Sequence, residues 1–150
     1  MVKKVAHHFL SSGVITLTLT RLNVHLYTIV AGSVVGYLTD TIIDRVGHSK
    51  VGERLDRNSL THSILTAPTI GILLGLGSSI FLNHGFALVL AGFLAGVCHL
   101  LADSLTEAGV FAPFSRRRLC SLPFDDWLLN LALSMFGGLL LAYGFLASRF

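Results

Sequence analysis

Charge is what this chain has least of. Only 13% of its 150 residues are Asp, Glu, Lys or Arg, against 53% hydrophobic. A soluble domain carries about 25% charged residues. A water-facing shell cannot be built from this composition, which argues against a soluble enzyme and makes the bilayer the expected solvent. Cysteine is scarcer still. Cys98 and Cys120 are too few for a disulfide framework and lack the paired spacing of a zinc–thiolate centre. A secretory cleavage pattern is also missing. Lys3 and Lys4 precede an apolar stretch, but no small-residue cleavage site and polar mature region follow, so that stretch is expected to persist as a helix. One domain over residues 1–150 is expected at this length.

What the chain does have is long apolar runs. Residues 5–22, 24–43, 63–82, 86–105 and 127–147 each approach the ~20 residues a helix needs to cross ~30 Å of hydrocarbon. The fold class predicted is all-α: a multi-pass transmembrane bundle of about five helices, in the cell membrane and surrounded by lipid. The first run is the weakest, because Thr16, Thr18 and Thr20 alternate with apolar residues as in a strand. A lone strand would leave its backbone groups unsatisfied in lipid, so helix is the better reading. Asn83-His84-Gly85 predicts a tight hairpin between the third and fourth runs. Gly32-x-x-x-Gly36, Gly71-x-x-x-Gly75 and Gly92-x-x-x-Gly96 place small residues one turn apart, which lets helices approach closely without naming their partners.

Basic residues give an orientation. With the N-terminus cytoplasmic, that side holds Lys3, Lys4, Arg45, Lys50, Arg54, Arg57, Arg116, Arg117 and Arg118, and the other side holds only Arg21 and Arg149. Five crossings then put the C-terminus outside. The triplet Arg116-Arg117-Arg118 anchors its loop to the cytoplasmic side on the simplest reading, and as a phosphate-binding cluster it suits a lipid head group. Without interleaved aromatics or a soluble basic domain, no nucleic-acid partner is expected.

The same topology gathers the ionisable residues. His7 and His8 start the first run, Asp40 and Asp44 end the second, His62 precedes the third, and His99 and Asp103 end the fourth. All fall at one membrane face. Residues four apart share a helix face, so Asp40 stacks over Asp44 and His99 over Asp103. Ionisable groups at membrane depth are costly and mark functional sites, and imidazoles with carboxylates are ligands for a divalent metal. His25 and His84 fall on the opposite side. His8 and His48 are weaker members of the group. A metal-free reading stays open: a hydrogen-bonded packing network, with Asp40 or Asp44 paired to Arg45 and Asp103 orienting His99.

The motifs carry a resemblance. Ala6-His7-His8-Phe9, Ile43-Asp44-Arg45-Val46-Gly47-His48, Arg57-Asn58-Ser59-Leu60-Thr61-His62-Ser63 and the block GVCHLLADSLTEAG at 96–109 occur in this order. Together they resemble the YdjM-like family of membrane-bound, metal-dependent hydrolases, and among them the small archaeal relatives. The resemblance spans most of the chain and implies that His7, Asp44, His62, His99 and Asp103 hold the metal. Two departures stand out. Thr39-Asp40-Thr41-Ile42-Ile43-Asp44 replaces the bacterial Pro-Asp-x-Asp-His, and Asp56 stands where the pattern has a His.

Three readings follow. The first is a hydrolase of a lipid or other membrane-associated ester, with His7, His62 and His99 as nitrogen ligands, Asp44 and Asp103 as oxygen ligands, and Asp40 as general base. Zinc is the metal expected from the ligand types, with manganese or magnesium as alternatives. The second is a non-enzymatic structural or accessory subunit with membrane-protein partners or copies of itself. The third is a transport or proton-relay role, which five helices without a clear inverted repeat support less well. The topology is directly testable. Cysteines placed at Ser49 and Ser115 should react with impermeant reagents only from the cytoplasmic side, and one at Ser148 only from outside. External labelling at Ser49 or Ser115 would refute the arrangement.

Overall fold

The computed structural model describes residues 4–51, 54–82, 85–107, 109–112, 115–123 and 126–147, with side chains omitted for 48–57. Asn83 and His84 of the expected tight turn lie outside the described residues. Five helices are present among those described: α1 Lys4–Arg21, α2 Leu26–Gly47, α3 Thr66–Leu82, α4 Gly85–Ser104 and α5 Trp127–Ala147. Two short antiparallel hairpins interrupt them. Strands β1 His48–Val51 and β2 Arg54–Arg57 follow α2, and β3 Val110–Ala112 and β4 Ser115–Arg117 follow α4. Both hairpins fall between the apolar runs, in stretches whose composition predicts loops.

Three helices, α2, α4 and α5, are long and apolar enough to cross a membrane, whereas α3 is apolar but has only 17 residues. The expectation of five runs of spanning character therefore holds fully for three. The physical reasons for the other two differ. Helix α1 packs on α2, α4 and α5. Its Ser11, Thr16 and Thr20 are buried against protein, so it needs less hydrocarbon surface. Helix α3 starts three residues later than the apolar run, because residues 61–65 form turns and a bridge that pairs Ser63 with Phe111. At the other boundary, α2 runs on through Asp44 to Gly47, so Asp44 sits on the helix and not after it.

Glycine decides how the helices meet. A Cβ on Gly71 would collide with the backbone carbonyl of Gly92, and one on Gly92 with that of Gly71. Gly75 faces the backbone of Leu88, and Gly96 that of Ala67. The two Gly-x-x-x-Gly motifs of α3 and α4 are therefore each other's partners, in an antiparallel pair with backbones in direct contact. The third motif acts differently. Gly32 and Gly36 of α2 receive side chains, Leu19 and Ile15 from α1 with Ala91 and Ala95 from α4. Ile15, Leu19, Ile29, Ala91 and Ala95 form the core that this makes possible. A further pair was not read from sequence. Gly13 of α1 and Gly137 of α5 meet backbone to backbone, and Gly144 abuts Thr16, so α1 and α5 run parallel.

The outward surface is apolar. Leu73, Ile80, Phe81, Phe86, Phe136, Leu139 and Leu146 are all exposed, which suits hydrocarbon as solvent. Gly71→Leu or Gly92→Leu should destabilise the detergent-solubilised protein by about 1–3 kcal/mol or more through overpacking. Gly77, whose Cβ position has nothing within 4 Å, should accept Leu within about 0.5 kcal/mol. Thermal unfolding of the three variants checks this, and equal effects at all three positions would contradict the packing.

Candidate metal centre

Four elements deliver the cluster to one depth. His7 lies in the first turns of α1, Asp40 and Asp44 in the last turns of α2, and His99 and Asp103 in the last turns of α4. His62 precedes α3 and is held through its backbone. The Phe111 N–H donates to the His62 carbonyl (2.8 Å), and the Ile64 N–H donates back to the Phe111 carbonyl (3.0 Å). The His62 N–H itself donates to the Asn58 carbonyl (3.2 Å). Strand β3 is thus the clamp that fixes His62. The end of α4 is finished by the same region. The Thr106 hydroxyl and N–H both donate to the Asp103 carbonyl, and the N–H groups of Leu119 and Cys120 donate to the Ser104 carbonyl. Carbonyls that a helix end leaves without intrahelical partners are so satisfied.

All six residues named from sequence are between 0 and 4% exposed. Asp103 is the hub. The His7 Nε2 lies 3.5 Å from its Oδ1, and the Nε2 atoms of His62 and His99 each lie 3.5 Å from its Oδ2. The His99 Nε2 is also 3.6 Å from Asp44 Oδ1. Potential ligand atoms fall into two overlapping triads, His7–His99–Asp103 and Asp44–His62–His99, each within 4.8 Å. The five residues expected to share a site are thus divided between two triads that have His99 in common.

Asp40 occupies a different place. Its Oδ1 lies 3.2 Å from the His99 Nδ1, while its Oδ2 accepts from the Ser11 hydroxyl (2.7 Å) and from His8 Nδ1 (3.2 Å). It stands behind His99, on the ring edge away from Asp44 and Asp103. Ser11 and His8 complete this outer layer. Ser11 carries no signal in the sequence beyond its position four residues after His7, and His8 is a weaker member of the group by sequence. His62 has its own second contact, Nδ1 to the Thr61 hydroxyl at 3.0 Å. The side chain of His48 lies outside those described.

The distances test whether a cation fits. The His99 Nδ1 lies 3.0 Å from His7 Nδ1 and 3.2 Å from Asp40 Oδ1; a proton on it given to the carboxylate leaves the Nε2 lone pair facing Asp44 and Asp103. That nitrogen has no hydrogen-bond partner among the described residues. A charge-assisted N–H···O bond would be about 2.7–2.9 Å, shorter than any of these contacts. Tetrahedral bonds of about 2.1 Å to nitrogen and oxygen would separate the ligand atoms by about 3.4 Å. The observed 3.5–3.6 Å is much closer to the second figure. The donor set of three imidazoles and two carboxylates fits a divalent metal, and Asp40 behind His99 supplies the outer carboxylate that orients such a ligand.

The clamp on His62 can be tested alone. Phe111→Pro removes the N–H that the His62 carbonyl accepts and should cost about 1–3 kcal/mol. Hydrogen exchange at the Ile64 amide should quicken with it. Phe111→Leu keeps both backbone bonds and should leave that amide protected. Unchanged protection in the proline variant would refute the clamp.

Comparison with known proteins bears on the whole chain. No curated protein and no solved structure is matched. The family described as YdjM inner membrane protein matches residues 1–149. Together with three helices of spanning length and composition, this makes the protein a multi-pass membrane protein that belongs to the YdjM inner membrane protein family.

Proposed function

We propose that this protein is a metal-dependent hydrolase of a lipid or other membrane-associated ester, working at the cytoplasmic leaflet. The observation that carries the reading is the convergence of three imidazole Nε2 atoms on the Asp103 carboxylate at 3.5 Å. His7, His62 and His99 would hold the ion with Asp103 and Asp44. Zinc is favoured by three imidazoles, with manganese or magnesium admitted by the carboxylates. A divalent ion held there lowers the pKa of bound water and polarises an ester or phosphoryl oxygen. Asp40 keeps the His99 ring in the tautomer that presents Nε2. In this geometry it serves as a positioning residue before it serves as a general base, since His99 lies between it and the other carboxylates. The orientation follows the basic residues, which put both hairpins and the cluster on the cytoplasmic side.

A second reading is favoured by the burial. Structural metal sites are closed, whereas catalytic ones keep a position open to substrate, and all five candidate ligands are nearly inaccessible. On this reading the protein is a non-enzymatic accessory subunit whose cluster ties α1, α2 and α4 to the segment before α3.

Metal content and turnover separate the readings. Wild type purified without chelator and resupplied with zinc and manganese should hold close to one ion per chain. His62→Ala and His99→Ala should lose it while remaining helical by circular dichroism. Asp40→Asn should bind about 10–100-fold more weakly. Reconstituted with membrane lipid extract, loaded wild type should release a hydrolysis product that His62→Ala does not. A stoichiometric ion without any product supports the accessory subunit. Metal-free wild type after resupply would refute the metal centre itself.

A further inference from the structure

A groove on another face of α4 is not used by the metal cluster. It has a volume of about 320 Å³, within the range of about 300–1,000 Å³ typical of ligand sites. Ile64 just before α3, Pro68 in its first turn, and Val97 and Leu101 of α4 line it together with Arg117 and Arg118. Ile64 and Leu101 are exposed large hydrophobics, so the trough opens to the side, where hydrocarbon lies. Helix α4 presents Val97, Leu100, Leu101 and Ser104 to this groove and His99 and Asp103 to the cluster.

The arginine triplet is divided by the fold. Arg116 lies over the Phe111 ring at 4.8 Å. Arg117 and Arg118 are exposed instead, and neither forms an ion pair among the described residues. Their backbone is fixed, because Arg117 pairs with Val110 in the β3–β4 hairpin and the Leu119 N–H is bonded to the end of α4. The hairpin thus brings two exposed arginines to the lining of an apolar trough, with their charged ends free to reach a head group at its edge. An acyl chain fits the trough, and a phosphodiester fits the guanidinium pair, which offers planar, bidentate donors.

We infer that the α3–α4 groove is a binding site for an anionic phospholipid, with an acyl chain along Pro68, Val97 and Leu101 and the phosphate on Arg117 and Arg118. The inference does not rest on the hydrolase reading, since the groove and the cluster occupy different faces of α4. It goes beyond general lipid contact by naming a place and a head-group charge.

Native mass spectrometry of the full chain, exchanged into equimolar phosphatidylglycerol and phosphatidylcholine, tests it. Wild type should retain one phosphatidylglycerol preferentially. Each single variant, Arg117→Ala or Arg118→Ala, should reduce that preference about fivefold, and the double variant about 25-fold, given the usual strength of a basic residue near an anionic surface. Leu101→Trp, which fills the trough and stays apolar, should lose retention of both lipids. Metal content should be unchanged in all of them, which separates this test from that of the cluster. Equal retention of the two lipids by wild type would overturn the proposal. So would full preference in the double arginine variant, or displacement by inorganic phosphate alone, which would assign the arginines to a free anion.

Discussion

Three buried carboxylates at one end of an apolar bundle set the terms for the rest of this structure. Asp40, Asp44 and Asp103 are each 4% exposed or less, and a carboxylate removed from water costs several kcal/mol unless its charge is matched nearby. The matching groups come from other helices. Asp40 is met by Ser11, His8 and His99, and Asp103 by His7, His62 and His99. No single helix can supply these partners, so helices must come close, and glycine allows it. The mutual contact of Gly71 with Gly92 and the approach of Gly13 to Gly137 place α3 on α4 and α1 on α5 without intervening side chains. The polar end and the glycine seams are two parts of one requirement.

This explains why α1, the least apolar of the five, lies inside. It carries His7, His8 and Ser11 to the carboxylates of α2 and α4, and its Thr16 and Thr20 face α5. The hairpin after α4 serves the same end from outside the bundle. Backbone bonds from β3 to His62, and from Leu119 to Ser104, set the one cluster residue that no helix carries and close the helix that carries two. Under the proposed function, a divalent ion would supply positive charge where Asp44 and Asp103 meet His99. The accessory-subunit reading places the same charge there, from an ion that is held closed and structural.

Much of this was legible in the sequence. Low charge and five apolar runs gave the helical membrane fold, and chain direction alone brought His7, Asp44, His62, His99 and Asp103 to one face. Periodicity showed that His99 and Asp103 share a helix face. It could not show that Asp40 and Asp44, also four apart, would take opposite edges of the same imidazole, because that depends on where α4 crosses α2. Ser11 was invisible because a hydroxyl in a helix is ordinarily satisfied by its own backbone, whereas Thr61, in the turns before α3, was legible only as part of the motif that ends in His62. The hairpins were missed because Arg, Asp and Ser favour loops, and β3–β4 gains its definition from bonds to the segment before α3 and the end of α4. Gly13 and Gly137 escaped because neither sits in a Gly-x-x-x-Gly motif.

Under the proposed function, three imidazoles and the carboxylate of Asp103 share one metal ion. X-ray absorption at the zinc edge of the zinc-loaded, membrane-reconstituted protein reads that ligand shell directly. The account predicts a shell of nitrogen and oxygen only, at about 2.0–2.1 Å, with the outer-shell scattering of three imidazoles, falling to two in His62→Gln. A sulfur neighbour at about 2.3 Å, which would implicate Cys98 or Cys120, or a shell without imidazole scattering, would contradict it.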